Sequence, residues 1–444
     1  MTGSDIAAVV MAGGLGTRMR SAVPKHLHPL LGRRMVDWVI EAAREAGAGR
    51  VVVVASPATH ELFEGLEVVV QAEPRGTGDA VRSARAALEG FAGDVIVLNG
   101  DVPALTGELV RELVATHRRE EAAATVLSFE PPDLLSYGRI VRDGDGGLAR
   151  IVEAGDATPE QLALREVNSG IYLFRAEQLW PLLDRLEPHN AQGELYRTDT
   201  LGFLVEDDRP VAVHQAPEPR DVEGINTRVE LAAAAAYLRD RINRRHMLAG
   251  VTIVDPQTTW IEADVEIEAD VVVHPFTQLR GRTTVGAGAE IHPHVVAVDA
   301  AIGAGASVGP FCYLRPGTDL GAQAKAGTFV EIKNSHIGDR TKVPHLSYIG
   351  DADIGADTNV GAGAITANFP HEPGKAKGTT VIGSNVRTGV DNTFVAPVEI
   401  GDDAWTSPGA VVTDDVPDGS LAGFAPRQET KEGWVHKKHG NRND

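Results

Sequence analysis

The chain has few of the features that a secreted, disulfide-bonded or membrane-embedded protein needs. Its 444 residues include one cysteine, Cys312, so no internal disulfide can form, and we predict a reducing, cytoplasmic location. The N-terminus has no basic region, and its short apolar run breaks at glycines, which argues against a signal peptide. No run of about twenty apolar residues could span a bilayer, so we expect no membrane partner.

Basic residues are scarce relative to acidic ones. The chain has 42 Lys and Arg residues against 62 Asp and Glu residues, a formal net charge of −20 at pH 7. A nucleic-acid-binding protein normally carries a basic stripe, and none is visible, so we predict no nucleic-acid partner. Small anionic ligands stay compatible with this charge where basic residues are concentrated locally. The length itself predicts two or three domains.

Strand-like and helix-like segments alternate in the first half of the chain. Apolar runs at residues 6–12 and 51–56 are separated by helical patterns at residues 35–47 and 78–90. Such alternation is typical of βαβ units and a mostly parallel sheet. We therefore predict a Rossmann-like α/β domain over residues 1–227.

A segment rich in Ala, Leu and Arg follows this domain. It covers residues 228–247 and ends before Gly250, which predicts one exposed helix that joins two domains. We place this linker helix at residues 228–249 and the second domain, with its tail, at residues 250–444.

After residue 250 the helical signal disappears and apolar residues recur every six positions. This period predicts a left-handed parallel β-helix of hexapeptide repeats, in which each anchor residue points inward and three hexads make one coil. A loop at residues 367–378 interrupts the series. The 24 anchors are Ile261, Ile267, Val273, Leu279, Val285, Ile291, Ala297, Ile302, Val308, Leu314, Leu320, Ala326, Ile332, Ile337, Val343, Ile349, Ile354, Val360, Ile382, Thr388, Phe394, Ile400, Thr406 and Val412.

Glycine is placed non-randomly in this repeat. It follows twelve of the 24 anchors, whereas its overall frequency of 48 in 444 residues would place about three there. A glycine-rich β-sandwich would instead show a period of two. The repeat therefore favours the β-helix.

A glycine-rich loop follows the first strand-like run, at residues 11–19 (MAGGLGTRM). Glycines there let backbone N–H groups approach a phosphate closely, although a simple tight turn would look the same. The loop matches neither the P-loop nor the dinucleotide-binding spacing. Arg18 and Lys25 just beyond it could neutralise a triphosphate, or they could be ordinary surface charges.

Two further motifs lie where ligands of α/β sheets bind. Residues 71–78 (QAEPRGTG) separate a strand from a helix, and Asp101 in NGDVP follows the strand VIVL at residues 95–98. An aspartate at this edge of the sheet is well placed to hold Mg²⁺, although a turn or a helix cap would also explain it.

The order of these motifs, continued by YGRI, IVE, NSG and GIN and then by the hexad repeat, resembles the bifunctional N-acetylglucosamine-1-phosphate uridylyltransferases/glucosamine-1-phosphate acetyltransferases. The resemblance extends from about residue 5 to residue 434. It implies that the chain acetylates glucosamine-1-phosphate with acetyl-CoA and then transfers UMP from UTP to give UDP-N-acetylglucosamine and pyrophosphate. It also implies a homotrimer whose acetyl sites are shared between subunits.

The resemblance implies a role for each matching residue of the N-terminal domain. Arg18 and Lys25 would be catalytic. UTP would lie on Met11, Ala12, Gly13, Gly14, Arg18 and Lys25; its uracil on Gln71, Gly76 and Thr77; Mg²⁺ on Asp101 and Asn226; the sugar on Gly138, Glu153 and Asn168; and Asn99 and Gly100 would line the same site. Asn99 stands where many relatives have Tyr, and His26 where many have Val.

In the β-helix the resemblance implies that His345 is the general base of acetyl transfer, because His is able to accept a proton near neutral pH. Taken alone, it is one of fifteen histidines. Arg315 and Lys333 would bind the sugar phosphate, and Tyr348 and Asn359 the sugar. Acetyl-CoA would lie along Ala362, Asn368, Phe369, Val390, Pro408 and Arg427.

The sequence departs from the family pattern mainly on the acetyl-CoA side. Asn368 and Phe369 are followed by Pro370 and His371 instead of Asp-Gly, in a loop about three residues longer. Other departures are Val390 for Ser, Pro408 for Ala, and Ala425 for an Arg that Arg427 could replace. Two alternatives stay open: a sugar-1-phosphate nucleotidyltransferase with a degenerate, non-acetylating β-helix, and a non-catalytic assembly subunit.

Overall fold

A computed structural model describes residues 5–14, 16–134, 137–144, 146–188, 194–370, 374–423 and 428–439. The chain divides into two compact units, Met1–Leu238 and Arg239–Asp444. In the described part of the chain, no helix is long and apolar enough to cross a membrane.

The first unit is an α/β structure built around one sheet. Its strands are β1 (Ile6–Met11), β2 (Pro29–Leu30), β3 (Arg33–Arg34), β4 (Arg50–Ala55), β5 (Glu67–Val70), β6 (Asp94–Asn99), β7 (Ala124–Phe129), β8 (Arg139–Arg142), β9 (Leu148–Val152), β10 (Val167–Arg175) and β11 (Val211–Gln215). Its helices are α1 (Met35–Glu45), α2 (Thr77–Ser83), α3 (Gly107–Arg119), α4 (Pro159–Leu162), α5 (Ala176–Asp184) and α6 (Asp199–Glu206). Short 3₁₀ turns lie at Thr17–Met19, Lys25–Leu27, His60–Leu62, Ala86–Leu88 and Pro219–Asp221.

The strand order in this sheet is β11-β7-β10-β6-β1-β4-β5, and β8 and β9 extend it beside β10. The run from β6 to β5 is parallel, whereas β10 is antiparallel to β6, β7 and β8. The sheet is therefore mostly parallel in the half that carries the glycine-rich loop. This half places the carboxyl ends of β1 and β6 side by side.

Both faces of the sheet are buried, because successive side chains of a strand point to opposite sides. In β1, Ala8 and Val10 pack with α1 and α3, and Ala7 and Val9 pack with α2, α5 and α6. Each side has its own continuous apolar core. The sheet is thus a rigid base for the loops at its edge.

Helix α7 (Arg228–Leu248) follows the sheet. The predicted exposed helix has a buried side in the structure, formed by Leu238, Ile242, Asn243 and His246. Asn243 donates from its amide to the carbonyl oxygens of Pro256 and Thr259, at 2.9 and 3.0 Å. These contacts fix the last turns of α7 on the first coil of the second unit.

The second unit is a parallel β-helix of the left-handed hexapeptide type with three flat faces. Its strands are β12 (Thr252–Ile253), β13 (Trp260–Ile261), β14 (Glu266–Ile267), β15 (Val272–Val273), β16 (Gln278–Arg280), β17 (Thr284–Val285), β18 (Glu290–Ile291), β19 (Val296–Val298), β20 (Ala301–Ile302), β21 (Ser307–Val308), β22 (Tyr313–Leu314), β23 (Thr318–Leu320), β24 (Lys325–Thr328), β25 (Glu331–Lys333), β26 (Ser335–Ile337), β27 (Lys342–His345), β28 (Tyr348–Gly350), β29 (Ala352–Ile354), β30 (Ile365–Ala367), β31 (Thr380–Ile382), β32 (Thr393–Val395), β33 (Val398–Ile400), β34 (Trp405–Thr406), β35 (Val411–Val412) and β36 (Leu421–Ala422). Helix α8 (Trp434–His439) lies in the tail.

The three faces repeat in order along the chain. Face one runs β12-β15-β18-β21-β24-β27, face two β13-β16-β19-β22-β25-β28-β30-β32-β35, and face three β14-β17-β20-β23-β26-β29-β31-β33. Every pairing within these faces is parallel, and neighbouring strands are 17 or 18 residues apart over most of the helix, as three hexads require.

The predicted anchors form the core of the β-helix. All of them are buried except Ile267, which lies near the open end and is half-buried. The glycines that follow anchors serve the stacking of coils. A Cβ on Gly303 would lie 2.6 Å from the backbone carbon of Gly321 one coil away, and one on Gly338 would lie 2.6 Å from the backbone nitrogen of Ala356.

Candidate active sites

The glycine-rich loop extends from the end of β1, as the sequence predicts. Gly100 N–H donates to the carbonyl oxygen of Met11 at 2.9 Å, and a Cβ at Gly100 would come within 2.8 Å of that oxygen. Gly16 has φ +64°, and a Cβ there would lie 2.4 Å from Cβ of Lys25. Glycine is required at both positions because other chain segments approach them closely. Leu15 lies outside the described residues.

Four polar side chains meet beside this loop. Lys25 Nζ donates to Asp101 Oδ2 at 2.5 Å and to Asn226 Oδ1 at 3.1 Å, and Arg18 Nη2 donates to the same Asn226 oxygen at 2.9 Å. Asn226 is fixed just before α7, because its backbone N–H donates to the Glu230 carboxylate at 2.5 Å. The fold thus brings together residues that are more than 200 positions apart.

The carboxylate in this cluster stays charged although it is half-buried. Burial raises the pKa of Asp101, but the charges of Lys25 and His26, together with the hydrogen bond from Lys25, outweigh it and hold the pKa below its usual value. The Asp101 carboxylate and the Asn226 amide oxygen converge on one ammonium group. Two hard oxygen donors aimed at one cationic position also fit a divalent metal such as Mg²⁺.

The three residues predicted to contact uracil lie together. Gln71 Nε2 donates to the Gly76 carbonyl oxygen at 3.1 Å, and Thr77 Oγ1 accepts from the Arg197 backbone N–H at 3.3 Å. Gly76 has φ +113°, and a Cβ there would lie 2.6 Å from the Leu195 carbonyl oxygen. This region therefore depends on the segment that precedes α6.

The three residues predicted to hold the sugar are also adjacent. Asn168 N–H donates to the Gly138 carbonyl oxygen at 2.8 Å, and a Cβ at Gly138 would lie 3.4 Å from Glu153 Oε2. Burial, with the nearby Asp199 and Asp156 charges, raises the pKa of Glu153. Asn168 is held in turn by Tyr172, whose hydroxyl oxygen accepts from Asn168 Nδ2 at 2.8 Å.

Arg197 lies between these groups. Its Nη2 donates to Asn99 Oδ1 at 2.8 Å, and its Nη1 contacts Met11 Sδ at 3.2 Å. Its guanidinium also lies 5.3 Å from the Tyr172 ring centroid. Burial lowers the pKa of Arg197, and no described carboxylate lies within salt-bridge distance of it. Asn99 is fixed for this contact, because its Nδ2 donates to the Ser169 carbonyl oxygen at 3.1 Å.

In the β-helix, cationic side chains gather on face two. Arg315 and Lys333 occupy equivalent positions of adjacent coils, because Leu314 pairs with Ile332. Lys377, from the loop after β30, lowers the pKa of Lys333 most strongly, followed by partial burial and by Arg315. Neighbouring ammonium groups that repel each other favour binding of an anion such as a phosphate.

Tyr348 lies on the next coil of the same face, opposite Glu331. A Cβ at the neighbouring Gly350 would lie 2.4 Å from the Tyr348 hydroxyl oxygen, so glycine leaves room for the phenol. Asn368 is buried, and its amide donates to Asp351 at 2.5 Å.

His345 ends β27 at the corner between face one and face two, and its side chain is exposed. Its backbone carbonyl accepts from Ser347 Oγ at 2.7 Å and from the Gly363 N–H at 3.3 Å, which fixes the backbone at this corner. Asn359 forms an isolated parallel β-bridge with Lys342 of the preceding coil.

The predicted acetyl-CoA residues follow His345 along later coils. Phe369 is 75% exposed and Val390 is 48% exposed. Ala362 O accepts from the Asp391 N–H at 2.7 Å, and Pro408 lies beside Gly389. Arg427, Ala425 and His371 lie outside the described residues.

Comparison with known proteins gives relatives that cover both units of the chain. A family model described as the MobA-like NTP transferase domain matches residues 8–198. The chain is 48% identical to the bifunctional protein GlmU of Streptomyces avermitilis, over 97% of this chain and 94% of the relative. It is 47% identical to that of Thermobifida fusca (99% and 96%) and 46% identical to that of Mycobacterium tuberculosis strain H37Ra (98% and 93%).

The chain belongs to the GlmU family. It is a bifunctional nucleotidyltransferase and N-acetyltransferase that makes UDP-N-acetylglucosamine from glucosamine-1-phosphate, acetyl-CoA and UTP. The relatedness over nearly the full length favours this function over a nucleotidyltransferase with a degenerate β-helix. Nucleotidyl transfer by GlmU proteins needs a divalent metal.

The sequence analysis missed Arg197 and gave Lys377 no part in binding the sugar phosphate. Both contacts join segments that are far apart in sequence: Arg197 reaches Asn99, and Lys377 reaches Lys333. The one available signal was Asn99, the partner of Arg197, which stands where many relatives have Tyr.

His26 lies beneath the glycine-rich loop and gives the GlmU chain a testable pH dependence. Burial lowers its pKa from 6.5 to about 4, with Asp101 opposing and Lys25 adding to the shift. His26 Nδ1 makes no hydrogen bond within the described residues. The folded state therefore needs neutral His26, and stability is lost as the pH falls from 6.5 towards 4.

We expect His26→Val to leave stability at pH 7 nearly unchanged and to make the protein about 2 kcal/mol more stable than wild type at pH 5. Denaturant unfolding measured from pH 7 to pH 4.5 checks this. The other histidines are present in both proteins, so their contributions to the pH dependence cancel in the difference in unfolding free energy between wild type and His26→Val. The exposed His336→Val serves as the control, and parallel curves for wild type and His26→Val would contradict the assignment.

Proposed function

We propose that the cluster of Arg18, Lys25, Asp101 and Asn226 is the uridylyl transfer centre, with Mg²⁺ as its metal. The observation that carries this proposal is the convergence of Asp101 and Asn226 oxygens on one cationic position. Mg²⁺ bound there would supply positive charge to the α-phosphate and the leaving pyrophosphate. Such charge stabilisation and in-line positioning account for most catalysis of phosphoryl transfer.

The chain's own groups divide the remaining work. The Met11–Gly14 backbone approaches the nucleotide, and Gln71, Gly76 and Thr77 read its base. With Asp101 and Asn226 holding the metal, the side chains of Arg18 and Lys25 would turn from these two residues towards the triphosphate. Gly138, Glu153 and Asn168 hold the sugar so that its phosphate attacks the α-phosphorus.

Arg197 belongs to the same site in this proposal. It is a half-buried cation that donates to the neutral oxygen of Asn99, so it has further N–H donors and charge to offer a substrate. Its position beside Met11 on one side and Gly170 on the other supports a role between nucleotide and sugar. It acts by binding substrate and not by moving a proton.

We expect Arg197→Met to lower kcat/KM for uridylyl transfer by about 10- to 100-fold, because a hydrogen bond to a charged group contributes about 1.5–3 kcal/mol. Steady-state kinetics with N-acetylglucosamine-1-phosphate measure this. Arg185→Met is the matched control, because Arg185 is an exposed arginine paired with Asp207. A change of less than twofold in Arg197→Met would remove Arg197 from the site.

For acetyl transfer, we assign phosphate binding to Arg315, Lys333 and Lys377 and general-base catalysis to His345. Tyr348 and Asn359 orient the sugar. Ala362, Asn368, Phe369, Val390 and Pro408 line the path of acetyl-CoA, and Arg427 in the tail pairs with its phosphates. The base removes a proton from the amine as it attacks the thioester carbonyl, and the free thiol of coenzyme A leaves.

The β-helix presents a surface that supports the proposed homotrimer. Phe276, His294, Phe311 and Phe329 stack along one corner with centroid distances of 4.6–5.3 Å. The three phenylalanines are about half exposed, and Leu346 continues the row. Exposed apolar rows of this kind are normally covered by a partner, and a second copy of the chain would cover it beside His345.

A coupled assay tests the proposed division of labour. Full-length protein is given glucosamine-1-phosphate, acetyl-CoA, UTP and Mg²⁺, and free thiol and pyrophosphate are followed while light scattering gives the mass. We expect both products, and a mass three times that of one chain. Thiol release by a monomer would overturn the shared site, and pyrophosphate release without added divalent metal would overturn the metal assignment.

A further inference from the structure

A group of histidine and glutamate side chains lies on face one, several coils before His345. β15 pairs in parallel with β18, with Val273 opposite Ile291, so the next residues, His274 and His292, occupy equivalent positions of successive coils. Glu290 lies on the other side of the inward-facing anchor Ile291. All three side chains therefore point outwards from the same face.

The polar atoms of this group converge. His274 Nε2 lies 2.9 Å from Glu290 Oε1, and His292 Nδ1 lies 3.7 Å from the same oxygen. One ligand atom from each of the three residues lies within 4.8 Å of the other two. In a tetrahedral site with bonds of about 2.1 Å, ligand atoms are about 3.4 Å apart, so small side-chain rotations suffice to bind a metal.

A neighbouring coil holds one of the rings in place. His292 Nε2 lies 3.1 Å from Ser307 Oγ, and Ser307 is paired with Glu290 across β18 and β21. This hydrogen bond occupies the nitrogen that faces away from the group and leaves Nδ1 for a ligand. Histidines that bind metals typically have their second nitrogen held in this way.

An ion pair between Glu290 and a protonated histidine explains only part of this arrangement. The two imidazole rings stack with centroids 5.5 Å apart and an interplanar angle of 20°. Protonating both would place two cations face to face, so the single carboxylate would be shared between like charges. Two neutral rings and one carboxylate carry one negative charge, which a divalent cation neutralises.

The structure assigns a metal site to His274, Glu290 and His292: we propose that they bind one borderline divalent cation of the Zn²⁺ class, with water completing the coordination. Two imidazoles select against Mg²⁺ and Ca²⁺, which prefer oxygen ligands. The backbone under the site is rigid, since His274 N–H donates to Ile291 O at 2.9 Å and His292 N–H to Val308 O at 2.8 Å. The metal links two coils of the β-helix.

Isothermal titration of the full chain with ZnCl₂, in buffer with excess MgCl₂, tests the proposal. We expect one Zn²⁺ site per chain that is absent in His274→Ala and in Glu290→Gln. Ser307→Ala should keep the stoichiometry and weaken the affinity about tenfold, because it removes only the group that orients His292. Co²⁺ absorption should report tetrahedral nitrogen and oxygen ligands in the wild type and in Ser307→Ala, and should lose that signature in His274→Ala and Glu290→Gln.

His336→Ala is the matched control, because His336 is an exposed histidine that contacts one carboxylate, Asp353, at 2.9 Å, and both of its in-register neighbours, Asp319 and Asp353, are aspartates. Circular dichroism establishes that each variant is folded. Equal Zn²⁺ binding by wild type and His274→Ala, or no binding by wild type, would overturn the site. Loss of affinity in His336→Ala equal to that in His274→Ala would show nonspecific histidine binding and would overturn it too.

Discussion

Asp101→Ala should lower the rate of uridylyl transfer about a thousandfold or more while acetyl transfer stays within twofold of wild type. Asp101 is the one carboxylate of the cluster, and Lys25 and Asn226 are arranged around it. Its removal takes away the proposed metal ligand and also leaves the Lys25 ammonium without its carboxylate partner. Both effects raise the energy of the transition state, where negative charge on the phosphates is largest.

Steady-state kinetics over a range of Mg²⁺ concentrations separate the two explanations for Asp101. A metal ligand predicts a much higher Mg²⁺ requirement and a reduced maximal rate, whereas a structural aspartate predicts normal Mg²⁺ dependence in a less stable protein. Asp184→Ala, which removes an exposed carboxylate paired with Arg85, is the control. Recovery of wild-type activity at ordinary Mg²⁺ concentrations would demote Asp101 to a structural role.

The β-helix could be predicted from sequence because its cause is local and repeats. An inward anchor every six residues follows from the geometry of a coil, so even Thr388 and Thr406 in place of aliphatic residues did not hide the pattern. The structural role of the glycines that follow the anchors could not be predicted from the sequence. The repeat marks where these glycines fall but not why, and the structure shows that Gly303 and Gly338 leave room for the backbone of the next coil.

The candidate sites could be predicted only where a motif marked them. Asp101 follows a strand and lies at its carboxyl end, which is a local signal. Arg197 has no such signal, because its contacts with Met11 and Asn99 depend on how β10 and α6 pack against the parallel half of the sheet. The grouping of His274 with His292 is an intermediate case, since their spacing of 18 residues is one coil of the repeat.

His345→Ala should lower acetyl transfer about 10²- to 10⁴-fold, the usual contribution of a general base, and leave uridylyl transfer from N-acetylglucosamine-1-phosphate within twofold of wild type. His345 is exposed at its corner and has no role in the core, so the substitution leaves no cavity. Its backbone stays held by Ser347 and Gly363, because both bonds are made to the His345 carbonyl oxygen. The loss should therefore be chemical and not structural.

The separation of the two activities is what makes His345→Ala informative. The sheet of the first unit has its own cores on both faces, and the β-helix is filled by its own anchors, so we expect a change at one site to leave the other site intact. Thiol release and pyrophosphate release are measured on one preparation, with light scattering to establish the oligomeric state and His336→Ala as the control. If both activities fell together in a protein of unchanged mass, the assignment of two independent sites would be wrong. If acetyl transfer survived, another group would be the base, and the corner formed by His345 and Leu346 would serve assembly alone.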